Sequence, residues 1–145
     1  GGSPEQLEFL DKTAKGHLGS VPFKLHPSIP NTEIPAFLTS SPPSIFINVS
    51  DSEGMPVSIM EAMASGMPVV ATDVGETRSI VSGPENLLLP SDGSLDDWSH
   101  EVVKWIDGTD LNQSRLSNQR NAQSRFDHVS NHSAFVNHLL STQGL

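Results

Sequence analysis

Cysteine is absent from the 145 residues, which excludes disulfide frameworks, thiolate zinc sites and cysteine nucleophiles. The redox compartment stays open, because a cysteine-free chain suits either environment. Positive charge is scarce: 8 Lys and Arg face 17 Asp and Glu, for a formal net charge of −9. That balance argues against a non-specific grip on a nucleic-acid backbone or anionic lipid, so no nucleic-acid partner is expected. An anionic ligand would have to meet backbone amides or a few placed cations. Long hydrophobic runs are missing too. The longest, such as Ser44 to Val49 and Met67 to Ala71, fall far short of the roughly 20 residues of a spanning helix. No basic segment precedes an apolar one as in a secretory leader, and a cytoplasmic location is the default expectation. No internal repeat, no G-x-S-x-G nucleophile elbow and no D-x-D element occurs.

What is present is the length of one ordinary domain, on a prior of roughly 100–200 residues each. With 35% hydrophobic and 17% charged residues, 11 Gly and 11 Pro, the composition is globular, polar and turn-rich.

Ser3 as N-cap, Pro4 at the first helical position and Leu7 with Leu10 predict a short amphipathic helix ending near Gly16. Val21 to Leu25 alternates between Pro22 and Pro27 and reads as a short strand, and Asn31 or Thr32 caps a brief helix through Leu38. Ser44 to Val49, preceded by Pro42 and Pro43, has the pattern of a buried strand. The loop Ser50 to Pro56 leads to a helix with Ile59, Met60 and Met63 at helical spacing, stopped by Gly66 in a left-handed cap. Pro68 to Thr72 is a second buried strand, Thr77 to Val81 a short helix and Asn86 to Leu89 a third strand. Helices follow at Leu95 to Ile106, Leu111 to about Phe126 and His132 to Leu140. Strand and helix alternation predicts an α/β fold, a Rossmann-like parallel sheet with flanking helices.

In open parallel sheets ligands sit beyond the carboxyl ends of the strands. Here that place is the stretch SDSEGMPVSIMEAMASG, where Gly54 beside Pro56 makes a tight turn. The first amides of the following helix, at Val57, Ser58 and Ile59, are expected to point outward with the positive dipole end behind them and to hold a phosphate without any Lys. Glu53 and Glu61 stand eight apart, one in the turn and one in the helix, and can flank one pocket. A carboxylate accepts two hydrogen bonds side by side, which suits vicinal sugar hydroxyls. Each acid also has a plainer reading: Glu61 as a solvated helix acid, Glu53 as a first-turn acid favoured by the helix dipole.

The segment Ser50 to Val81, SDSEGMPVSIMEAMASGMPVVATDVGETRSIV, resembles the nucleotide-sugar-binding core of the retaining glycosyltransferases of family 4, in their C-terminal GT-B domain. Glu53 to Glu61 is similar to the family's E-x(7)-E signature, followed by Ala62-Met63-Ala64-Ser65-Gly66 and Pro68-Val69-Val70-Ala71. Gly1-Gly2-Ser3-Pro4-Glu5 is similar to a G-x-G-P turn, and the helices from Arg115 to His138 resemble the family's C-terminal helices. The resemblance implies that Glu61 hydrogen-bonds the donor ribose and that Glu53 faces the transferred sugar near the reacting carbon. It also implies that Gly54, Met55, Pro56, Val57 and Ser58 form the donor-binding turn, whose amides, Pro56 excepted, hold sugar hydroxyls and diphosphate. The implied chemistry is transfer from a nucleotide-diphosphate sugar to a glycan, lipid or small acceptor with retained configuration. It needs no cofactor and no metal, because fixed dipoles and cations offset the leaving-group charge.

The likeness has gaps. The strand that carries the family's phosphate-clamping Arg and Lys has no counterpart, nor has the N-terminal acceptor domain. The expectation is therefore one partial nucleotide-sugar-binding domain over residues 1–145, with C-terminal helices over about 95–142. Its parent is expected at the membrane periphery in polysaccharide or envelope assembly, and the fragment alone is expected to be inactive. The alternative is a non-catalytic nucleotide-binding or protein-interaction module of the same fold. To close the sheet, the Val21 strand is expected to pair with the Ile45 strand, or a second copy to cover the edge as a homodimer. Where the family commonly has two glycines and a later glutamate, this chain reads Gly75-Glu76-Thr77-Arg78-Ser79. Arg78 is either a substitute phosphate contact or a surface helix arginine.

Other residues have ordinary readings. His128 and His132 stand four apart among six histidines, but no third ligand has metal-site spacing. His26 reads as a loop histidine near the family's base-contacting region. Met60 and Met63 are core fillers, whereas Met55 sits in the turn. Trp98 and Trp105 form a helix stripe for packing, and Asp96-Asp97 a helix N-terminal acid pair.

Overall fold

A computed structural model of the chain describes residues 3–40 and 45–126. The expected helix at His132 to Leu140 and the pair His128 and His132 lie outside the described residues. Two compact units are present, Gly1–Phe37 and Leu38–Leu145.

In the first unit, α1 (Pro4–Leu18) starts where the sequence predicts. Ser3 and Gln6 form a capping box: the Gln6 N–H donates to Ser3 Oγ (3.4 Å) and the Ser3 N–H to Gln6 Oε1 (2.7 Å). The helix runs past Gly16 to stop at Gly19, whose φ of +57° ends it. Gly16 alone does not break it, since one helical glycine costs only about 1 kcal/mol. No α1 side chain is buried, and Phe9 is 68% exposed. The expected strand at Val21 to Leu25 does not form. The Val21 N–H turns back to the Leu18 carbonyl (3.0 Å), and Pro22 has no N–H to give a ladder. A 3₁₀ turn (Asn31–Glu33) leads into α2 (Ile34–Ser40).

The second unit contains a parallel sheet of three strands in the order β1 (Phe46–Asn48), β2 (Val69–Thr72), β3 (Leu87–Leu89). Register is set by Ile47 opposite Val70 and Ala71 opposite Leu88. Every β2 residue is buried, as its unbroken apolar run requires for a central strand. β1 has only one neighbour among the described residues, so Ile47 and Val49 stay 58% and 51% exposed where a buried strand was expected. The Val21 segment, expected to pair with β1, is not a strand.

Between the strands run α3 (Val57–Ala64) and α4 (Thr77–Ile80), followed by α5 (Leu95–Gly108) and α6 (Leu111–Phe126). Ile59, Ala62 and Met63 of α3 are fully buried, while Met60 is half-buried. Gly66 has φ +80°, and its N–H and that of Met67 close the helix on Met63 and Ala62 carbonyls, the left-handed cap expected. α6 lies against α3 on Ser114, Asn118 and Ala122, small and polar residues four apart. Asn118 Nδ2 donates to the carbonyl of Met67 and to Asn86 Oδ1 (2.8 Å each), and Asn86 Oδ1 also accepts the Val69 N–H (2.9 Å). This buried amide pair ties α6 to the start of β2. Trp98 and Trp105 donate their indole N–H groups to the carbonyls of Pro90 and Pro84, holding α5 across the ends of β3. No helix among the described residues is long and apolar enough to cross a membrane.

Candidate functional site

The loop over residues 49–56 leaves the carboxyl end of β1 and enters α3, where open parallel sheets bind ligands. Thr72, at the end of β2 and 2% exposed, pins it: Thr72 Oγ1 accepts the Ser50 N–H (3.0 Å) and donates to the Ser50 carbonyl (2.7 Å). The half-buried Glu53 turns its carboxylate back on the strand end, so that Oε1 accepts from Asn48 Nδ2 (3.1 Å) and Ser50 Oγ (2.7 Å). From the next strand the Gly75 turn comes up against this loop, and a Cβ on Gly75 would meet the Glu53 carbonyl oxygen.

The turn itself corrects one expectation. Pro56, buried with φ −77° and ψ 83°, is the centre of an inverse γ-turn that directs the Val57 N–H to the Met55 carbonyl (2.9 Å). The Ile59 N–H is taken by the Pro56 carbonyl (3.1 Å). Of the three amides expected to be free at the helix start, only that of Ser58 is without a partner among the described residues, joined by Gly54 and Met55 in the turn. Gly54 and Ser58 are exposed, as are Met55 (68%) and Val57 (57%), so the core does not account for these two apolar side chains.

Glu61 lies one turn into α3, about 6 Å along the axis from Val57 at 1.5 Å per residue. It is half-buried, and its carboxylate has no partner among the described residues. Arg78 forms a two-pronged ion pair with Asp73, its Nε donating to Oδ1 at 3.0 Å, which commits the guanidinium within the loop after β2. A cavity of about 300 Å³ lies elsewhere, against Pro84, Glu85, Thr109, Asp110, Ser114 and Ser117, and contains none of these residues. No cluster of three or more His, Asp or Glu suited to a metal is found among the described residues.

Asn48, Ser50, Thr72 and the contact at Gly75 escape a reading by element type. Their local signals are an Asn closing a strand, a Ser three residues before the acid, and a Thr closing the neighbouring strand.

A three-stranded parallel sheet flanked by helices is the architecture of a Rossmann-like glycosyltransferase domain. The sequence profile of the glycosyl transferases group 1 matches residues 1–124, and the chain belongs to that family. It is 34% identical over 87 residues to TuaC of Bacillus subtilis (strain 168), a glycosyltransferase assigned to teichuronic acid biosynthesis. The match covers 60% of this chain and 22% of that relative, so the chain spans about a fifth of the relative's length.

Proposed function

We propose that this chain is the donor-binding part of a retaining glycosyltransferase acting on a nucleotide-diphosphate sugar. The observation that carries this reading is a set of hydrogen-bonding groups around one turn that have no partner among the described residues. They are the Glu61 carboxylate, one oxygen of Glu53, and the N–H groups of Gly54, Met55 and Ser58. Glu61 receives the ribose hydroxyls and Glu53 faces the transferred sugar. The three amides, backed by the α3 dipole, take up charge on the diphosphate as the sugar departs. These fixed dipoles, together with phosphate cations from other segments, offset the leaving-group charge, so the reading calls for neither metal nor cofactor.

The acceptor site and the remaining phosphate cations belong to segments outside this chain, and transfer requires them. By its similarity to a teichuronic acid enzyme, the parent fits cytoplasmic assembly of an envelope polysaccharide at the membrane surface, where the acceptor is a growing glycan or lipid-linked glycan. Ligand-observed NMR of this chain with UDP-, GDP- and ADP-sugars, with Glu61→Ala as control, tests the reading. Saturation transfer to one donor, lost in the variant, is the expected result. Transfer to none, or transfer that survives Glu61→Ala, would leave a non-catalytic interaction module as the better description.

A further inference from the structure

The two oxygens of the Glu53 carboxylate are not equivalent. Oε1 accepts both the Asn48 amide and the Ser50 hydroxyl, while Oε2 has no partner among the described residues. Both donors stand on fixed supports. Asn48 is the last residue of β1, in register with Ala71 of β2, and Ser50 is clamped through its backbone by Thr72. The Ser50 hydroxyl also lies 2.9 Å from Asn48 Oδ1. Its single proton goes to the charged carboxylate, the stronger acceptor and the closer contact.

A carboxylate with two free oxygens can take a vicinal diol with one hydroxyl on each. With one oxygen filled from inside the protein, a diol can no longer place one hydroxyl on each oxygen, and recognition falls to Oε2. Resting on the reading that Glu53 faces the transferred sugar, we infer that Asn48 is a positioning residue. With Ser50 it saturates Oε1, fixes the rotamer and leaves Glu53 to recognise one hydroxyl of the donor sugar through Oε2. The observation that carries this is the convergence of two side-chain donors on one oxygen of a half-buried acid at the ligand end of the sheet.

The test compares each sugar nucleotide with its own nucleoside diphosphate, using UDP-glucose and UDP, GDP-mannose and GDP, and ADP-glucose and ADP, titrated into the full chain by NMR. Asn48→Ala and Ser50→Ala are expected to weaken the sugar nucleotide roughly 5- to 10-fold, the loss of one such hydrogen bond. The free nucleotide should stay within about twofold, a difference inside the scatter of neutral substitutions. Ser50→Thr, which keeps the hydroxyl, should restore the sugar-specific part. Monodeoxy forms of the bound donor should lose affinity at one Glu53-dependent position only. Equal weakening of both ligands in the Asn48 and Ser50 variants would reduce these residues to loop supports and overturn the inference, as would two adjacent Glu53-dependent hydroxyls. If both variants bind normally while Glu53→Ala selectively weakens the sugar nucleotide, the inference fails and the functional reading stands. If Glu53→Ala leaves both affinities unchanged, or the unmodified chain binds no donor, the reading falls and takes the inference with it.

Discussion

Gly75 and Glu53 are interlocked backbone to backbone: an ideal Cβ on Gly75 would lie 1.7 Å from the Glu53 carbonyl oxygen, and Gly75 itself has φ +52°. The two residues belong to the loops that follow adjacent strands β1 and β2, so the approach fixes how the Glu53 loop sits over the sheet end. Two independent constraints, backbone conformation and space, both demand glycine there.

Gly75→Ala is therefore expected to destabilise the chain by about 2–4 kcal/mol, combining a left-handed residue with a backbone clash. Gly54, in the turn itself, has nothing within 4 Å of its Cβ position and no left-handed φ, and Gly54→Ala should stay within about 0.5 kcal/mol. Urea unfolding of both variants checks this. Equal midpoints for the two would show that the Gly75 contact carries no constraint.

Legibility in the sequence followed the range of each cause. Elements set by local chemistry were readable: the Ser3 and Pro4 helix start, the Gly66 stop, and α6 over Leu111–Phe126. The alternation of apolar runs was enough for the parallel sheet, and E-x(7)-E pointed to the loop and helix at its carboxyl end. What depended on a distant partner was not readable. Ile47 has the side chain of a buried strand but lies on the edge of the sheet formed by the described residues, a fact decided by strand order. The free amides at the helix start depended on the ψ of Pro56, and the clamp of Thr72 on Ser50 spans 22 positions.

The Asn86 and Asn118 pair is another such long-range feature, joining residues 32 apart. Asn118 is 0% exposed and gives its amide to Met67 and Asn86. Asn118→Ala leaves the Met67 carbonyl without that donor, opens a small cavity against α3, and should cost about 2–4 kcal/mol. Asn118→Leu should not recover the loss, because it fills volume but supplies no donor. Recovery in Asn118→Leu, read by chemical denaturation, would mean that packing rather than hydrogen bonding joins α6 to β2.

At the start of α5, the Ser94 hydroxyl and backbone N–H hold the Asp97 carboxyl below its ordinary value of 3.8. A carboxyl lowered in the folded state adds stability that is fully present above its ordinary value and is lost as pH falls through the lowered one. Asp97→Asn should thus lower thermal stability relative to the unmodified chain at about pH 5, and the gap should narrow as pH falls below 3.8 and through the lowered folded value. A gap of constant size over that range would show that the carboxylate contributes nothing beyond its shape. Glu5, held low chiefly by the Ser3 hydroxyl, adds a change of the same sign at α1.

Glu61 allows function to be separated from stability. Its carboxylate makes no hydrogen bond among the described residues, so Glu61→Gln should shift unfolding by no more than about 0.5 kcal/mol. In the proposed role, however, the charged oxygens accept two ribose hydroxyls, and the amide replaces one acceptor with a donor that clashes with a hydroxyl already donating. Binding of the nucleotide sugar should fall by roughly 1–3 kcal/mol, the range for hydrogen bonds to a charged group. The same loss should appear for the free nucleotide, since the ribose is common to both ligands. Calorimetric titration of both ligands decides the matter. A loss confined to the sugar nucleotide would move Glu61 from the ribose to the sugar, and unchanged affinity for both would make it a solvated helix acid.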